Sequence, residues 1–117
     1  MDNIILNYEN QIFVSSVSII ELVELYKSKK IKSKKYKTTI DVLHAVESIL
    51  FYKILPFTKA HTETLAKLKI ANAHNDPFDH AIISHAIADK LVLVSSDRKF
   101  KEYTTQKLNF VFNKRYN

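Results

Sequence analysis

The chain has 117 residues, of which 46% are hydrophobic, enough for the core of a single domain spanning 1–117. It contains no Cys and no Gly, which excludes a disulfide frame, thiolate chemistry and a Gly-rich phosphate loop, and suits a cytoplasmic protein. The formal net charge of +6, carried mostly by lysine, favours polyanions through phosphate attraction, and the apolar runs are too short to cross a membrane.

Residues 1–9 read as the end of a helix, and residues 11–17 as a buried strand rich in β-branched side chains. Ser18-x-x-Glu21 has the form of a capping box and opens a helix to about Lys30, with Ile19, Leu22, Val23 and Tyr26 on its apolar side. Seven lysines crowd the linker 27–37. A helix over about 39–51 turns Val42, Leu43, Val46, Ile49 and Leu50 inward, and 53–57 is a short strand. Thr58 caps a helix over about 59–71 that places Leu65, Leu68 and Ile70 inward.

After the polar loop 72–75 comes the strongest start signal of the chain: Asp76 to cap, Pro77 at the first helical position and Asp79 at the third. The helix 77–89 carries Phe78, Ile82 and Ala86 at helical spacing, with Phe78 expected in the core. Leu91–Ser95 is apolar like a strand covered on both faces, Asp97 caps a short helix 98–103, and 108–112 is the last strand. Strands alternating with helices imply an α/β fold with a parallel sheet, whose functional residues collect at the carboxyl ends of the strands. Glu21, Asp79 and Asp97 all fall near such ends.

Each acid has an ordinary explanation, because carboxylates at helix starts satisfy backbone donors and the helix dipole. Together they form a set of oxygen ligands suited to Mg²⁺ or Mn²⁺. The lysines Lys32, Lys34 and Lys35 are candidate contacts for RNA phosphates, although a run of charge is also what a solvated loop looks like. His74, His80 and His85 surround the key helix at spacings that match no standard zinc motif, so zinc is not expected.

The wording Asp76-Pro77-Phe78-Asp79-His80-Ala81-Ile82-Ile83-Ser84-His85-Ala86 resembles the DPFDR-type signature of PIN domains, above all VapC-type toxins of toxin–antitoxin pairs. Matching segments lie upstream at Val17–Leu22 and downstream at Leu91–Phe100, in family order over roughly 11–112. The resemblance implies a PIN-like three-layer fold, a parallel β-sheet flanked by helices. It also implies an endoribonuclease that uses Mg²⁺ or Mn²⁺, with Glu21, Asp79 and Asp97 as its metal-binding acids. Ser95 and Ser96 stand where the family often has a hydroxyl before the last acid, and His80 stands where it carries Arg. The family's opening strand and first Asp have no counterpart, so a domain truncated at its N-terminus is expected, with weakened metal binding. The implied partners are RNA, a small antitoxin-like protein and a second copy of the chain in a homodimer. The alternative is a catalytically inactive module of the same fold that binds RNA or an antitoxin-like protein, or a truncated remnant.

Overall fold

The structure is a computed structural model, and it describes residues 11–31, 34–48 and 52–113. The expected helix end in 1–9, Ile49, Leu50 and Lys32 lie outside the described residues. The described chain divides into two compact units, 11–56 and 57–113, and each is taken by itself. In both, parallel strands are flanked by helices, the architecture that the alternation of elements implied.

In the first unit, β1 (Phe13–Ser15) pairs in parallel with β2 (Lys53–Leu55), Val14 standing opposite Ile54. Between them run α1 (Ser16–Lys27) and α2 (Thr39–Ser48). The cap of α1 is Ser15, whose hydroxyl accepts from the Val17 amide at 3.1 Å. The helix therefore starts before Ser18, the capping box does not form there, and Glu21 is the sixth helical residue. The strand end wins because its serine reaches a free first-turn amide before Ser18 can. Helix α2 buries Val42 and Val46 as expected, with Ala45 beside them, while Leu43 is half-buried.

In the second unit, α3 (Lys59–Lys67) packs against α4 (Pro77–Asp89), and β3 (Val92–Ser95) pairs in parallel with β4 (Asn109–Phe112). Helix α4 occupies the span expected of it. The Asp76 carboxylate accepts from the Phe78 amide at 2.9 Å, and Pro77 lacks the donor that the first turn would leave orphaned. Phe78 is 38% exposed, however, because it is Ile83 and Ala86, further along the helix, that face the core with Phe100, Tyr103 and Leu108. Strand β3 is less covered than an all-apolar run suggests, and Val92 is 54% exposed.

The connection from β3 to β4 is a 3₁₀ helix, Arg98–Gln106. Three residues per turn place every third side chain on one stripe. Asp97, Phe100, Tyr103 and Gln106 have that spacing; Phe100 and Tyr103 are buried, and the residues between them are exposed. Gln106 grips the Lys69 peptide from both sides, its Oε1 accepting from the Lys69 amide at 2.9 Å and its Nε2 donating to the Lys69 carbonyl at 2.8 Å. That grip accounts for the early end of α3. Leu68 is already extended, and residues 69–71 bond to the 3₁₀ helix instead of continuing the helix expected to reach 71.

With no glycine to use, left-handed backbone falls on Lys29, Ala73, Lys90 and Lys107. Lys90 and Lys107 are the C-caps of α4 and the 3₁₀ helix, where glycine is commonest. Ala73, at φ 63°, sits in the turn that the His74 amide closes onto the Ala71 carbonyl at 3.1 Å. A Cβ in this region costs roughly 1–2 kcal/mol. Ala73→Gly is therefore expected to raise the stability of the chain by roughly 0.5–1 kcal/mol, after the added freedom of the unfolded state is subtracted. The urea midpoint, at unchanged denaturant slope, measures it.

Candidate functional site

Asp79 is the third residue of α4, and its carboxylate does not act as a cap. Its Oδ2 lies 3.2 Å from Nε2 of His74, and the Asp79 side chain is 20% exposed. His74 is buried, and its Nδ1 lies 2.7 Å from the Tyr103 hydroxyl. That hydroxyl also accepts from the Ala71 amide at 3.0 Å. An amide N–H can only donate, so the Tyr103 proton is free to go to His74 Nδ1. The His74 ring proton is then on Nε2 and points at Asp79. The chain of bonds thus assigns the tautomer and fixes the rotation of the imidazole. His80 adds a further tie, its Nε2 donating to the His74 carbonyl at 2.7 Å.

Asp97 is half-buried and acts as the cap it was expected to be, its Oδ1 accepting from the Lys99 amide at 2.9 Å. Ser95 Oγ accepts from the Asp97 amide at 3.1 Å and so shapes the turn out of β3. Ser96 follows it in the same turn, half-buried. Asp79 and Asp97 share the second unit, and each has one carboxylate oxygen bonded to protein. Their other oxygens, Oδ1 of Asp79 and Oδ2 of Asp97, are hard donors of the type Mg²⁺ and Mn²⁺ prefer. The group of three potential metal ligands that the described residues gather lies elsewhere, at His61, His85 and Asp89. Glu21 belongs to the first unit, half-buried on α1, and Lys34 and Lys35 are exposed there. Among these, the structure ties His80 and Asp79 to the same residue, His74, the one through its carbonyl and the other through its ring.

Sequence reasoning missed His74 and Tyr103 as partners of the acid. Tyr103 was expected only to pack, which its full burial bears out, but its hydroxyl is what positions His74. The visible signal was the three-residue spacing from Asp97 through Phe100 to Tyr103.

A second polar cluster lies where the start of α3 meets the end of α4. His61 takes the place of the usual carboxylate in a capping box, its Nδ1 accepting from the Thr58 amide at 2.7 Å. Its Nε2 lies 2.8 Å from Asp89 Oδ1, and His85 Nε2 lies 3.3 Å from Asp89 Oδ2. The two imidazole rings are 4.1 Å apart between centroids, and Phe57 abuts both. Burial, then the neighbouring His61, hold the His85 pKa below its ordinary value of 6.5, against the opposing pull of Asp89.

The family model of the PIN domain matches residues 2–105, and the chain belongs to the PIN-domain family. Its likeness is to the VapC-type branch. A solved structure described as VapBC2 from Rickettsia felis bound to a DNA fragment from their promoter is similar at 27% identity. It has a TM-score of 0.63 and covers 95% of this chain and 80% of that one. A search of curated proteins found no match. PIN domains generally use divalent metal ions, and the family likeness agrees with the fold of parallel strands flanked by helices.

Tyr103→Phe removes the hydroxyl that joins Ala71, His74 and the 3₁₀ helix in one bond network. It is expected to cost about 1–3 kcal/mol through the Ala71 amide and the His74 nitrogen left without a partner. Urea denaturation of the variant measures the loss.

The lowered His85 pKa makes acid destabilising. The unfolded chain takes up a proton near pH 6.5 while the folded chain resists it. The contribution is therefore whole above that pH and is lost as pH falls from there through the lower folded value. In the presence of EDTA, the melting temperature is expected to decline below pH 6.5 more steeply for the wild type than for His85→Gln. Parallel curves for the two proteins would contradict it.

Proposed function

We propose that the chain is a VapC-like endoribonuclease, the toxin of a toxin–antitoxin pair, cutting RNA with Mg²⁺ or Mn²⁺ held by Glu21, Asp79 and Asp97. The observation that supports this reading most is the Asp79 carboxylate. It lies in the DPFD wording of the family, is steadied on one oxygen by His74, and keeps its other oxygen for a ligand. A bound divalent ion would lower the pKa of an attached water and polarise the scissile phosphate.

The chain's own residues have separate tasks in this scheme. Asp79 and Asp97 offer carboxylate oxygens from two helix starts of one unit, and Glu21 offers a third acid from α1. His74 holds Asp79 in one rotamer, which lowers the reorganisation needed when charge builds up on the phosphate. Ser95 and Ser96 supply hydroxyls beside Asp97, and His80, whose Nε2 holds the loop, keeps its Nδ1 lone pair to accept from a ribose hydroxyl of the RNA. Lys32, Lys34 and Lys35 draw the RNA backbone by charge, in keeping with a lysine-rich chain of net charge +6. The likeness to VapBC2 supports a small antitoxin-like protein as partner, and a homodimer acting in the cytoplasm belongs to the same proposal.

The test is Mn²⁺-dependent cleavage of RNA by the wild type and by Asp79→Asn, with circular dichroism to show that both fold. The wild type is expected to cut. The variant is expected to lose about a hundredfold or more, which corresponds to ~2.7 kcal/mol of transition-state stabilisation. A folded wild type that binds RNA or an antitoxin-like protein without cutting would replace this reading with that of a noncatalytic binding module.

A further inference from the structure

The geometry points to a second cation site, separate from the acidic one: His61, His85 and Asp89 form a three-ligand site for a borderline transition ion, with Zn²⁺ the best fit. One ring nitrogen of each histidine and an Asp89 carboxylate oxygen lie within 4.8 Å of one another, drawn from two packed helices. Two imidazoles and one carboxylate, with a fourth position for water, is a ligand set that zinc accepts readily and magnesium does not.

Distances decide how much the site must move. Zn–N and Zn–O bonds of about 2.0–2.1 Å set the edges of a tetrahedron at about 3.3 Å. The two measured edges are 2.8 Å for His61 to Asp89 and 3.3 Å for His85 to Asp89. They run to the two different oxygens of one carboxylate, so Asp89 has to turn to present one oxygen to both nitrogens, which its partly exposed side chain allows. The site is also supported where it must be rigid. His61 and His85 are 6% and 4% exposed, and Phe57 packs on both rings. His85 and Asp89 are one turn apart on α4, so the helix itself holds them on one face. The Asp89 side chain is 36% exposed, which gives an ion a route in from solvent.

One proton has to change place. In the metal-free form the Thr58 amide donates to His61 Nδ1, so the ring proton sits on Nε2 and faces Asp89. For Nε2 to bind an ion, that proton passes to Nδ1, with no net loss from the ring. Thr58 Oγ1, 3.0 Å from Nδ1, is in place to accept it, at the cost of the bond from the Thr58 amide. A ligating histidine commonly donates its other N–H in this way. Residue spacing along α4 alone conceals the site, because His61 lies on the neighbouring helix α3.

The test uses the full chain without an affinity tag, stripped with EDTA and dialysed, then titrated with Zn²⁺ by calorimetry and followed by thermal melting. One saturating equivalent and a raised melting temperature are expected, and Co²⁺ is expected to give tetrahedral visible bands. His85→Gln and Asp89→Asn are each expected to weaken Zn²⁺ binding at least tenfold, since even a contact behind a ligand commonly costs that much. Asp79→Asn is expected to bind Zn²⁺ as the wild type does, which separates this site from the proposed RNA-cleaving one. Absence of saturable Zn²⁺ binding by the folded wild type, or unchanged affinity in both His85→Gln and Asp89→Asn, would overturn the proposal.

Discussion

The Tyr103 hydroxyl is the bond centre on which the second unit depends. It is fully buried, accepts from the Ala71 amide and donates to His74, so one side chain ties an extended segment, a turn and a helix start to the 3₁₀ helix. A buried hydroxyl with two partners contributes modestly when satisfied, and its removal leaves both partners exposed to the full cost of desolvation. The asymmetry explains why so irregular a stretch as 68–76 keeps one conformation. The order of His74, and through it the direction of Asp79, is inherited from that bond and not from the helix that carries the acid.

The 3₁₀ geometry makes this possible. In an α-helix, Asp97, Phe100, Tyr103 and Gln106 would drift around the cylinder by about 60° at each step of three. At three residues per turn they stay in line. The stripe begins with a cap, passes through two aromatic side chains in the core, and ends in an amide that mimics a peptide partner for Lys69. Long 3₁₀ runs have poorer hydrogen-bond geometry than α-helices, and here the side-chain bonds of the stripe compensate for it. The same unit accepts lysine and alanine in left-handed backbone, so its turns are set by tertiary bonds more than by local preference.

Much of this fold could be read from the chain. Helix α4 was legible to the residue, because Asp76, Pro77 and the apolar spacing behind them all act locally. The four strands were legible in place, each longer in expectation than in fact, since apolar runs outlast the few residues that pair. What could not be read depended on partners far along the chain. Helix α3 stops at Lys67 because Gln106, 37 positions from Lys69, takes the next peptide. Ser15 displaced Ser18 as a cap because the strand ended early, a question of register. The motifs singled out Asp79 and Asp97, whereas the bond from Tyr103 to His74, 29 positions apart, shows in the sequence only as the three-residue spacing of the stripe that carries Tyr103.

The removal of one ordinary explanation matters for the acids. Glu21 was a capping-box carboxylate on paper and is the sixth residue of its helix in the fold, so helix termination does not account for it. Asp79 sits where a capping carboxylate would sit and bonds to His74 instead. Only Asp97 is used as a cap, and it keeps one oxygen outside that role. The two histidine–carboxylate groups of the second unit then differ in a way that their residue types conceal. At Asp79 a single imidazole, locked by Tyr103 with its proton outward, leaves oxygen as the available donor, the setting for a hard cation. At Asp89 two imidazoles face one carboxylate and the proton on His61 has a second place to go, the setting for a softer one. The proton sits on Nε2 of both rings, and what separates the two proposed sites is that Tyr103 holds it there on His74 while Thr58 Oγ1 offers it a second place on His61.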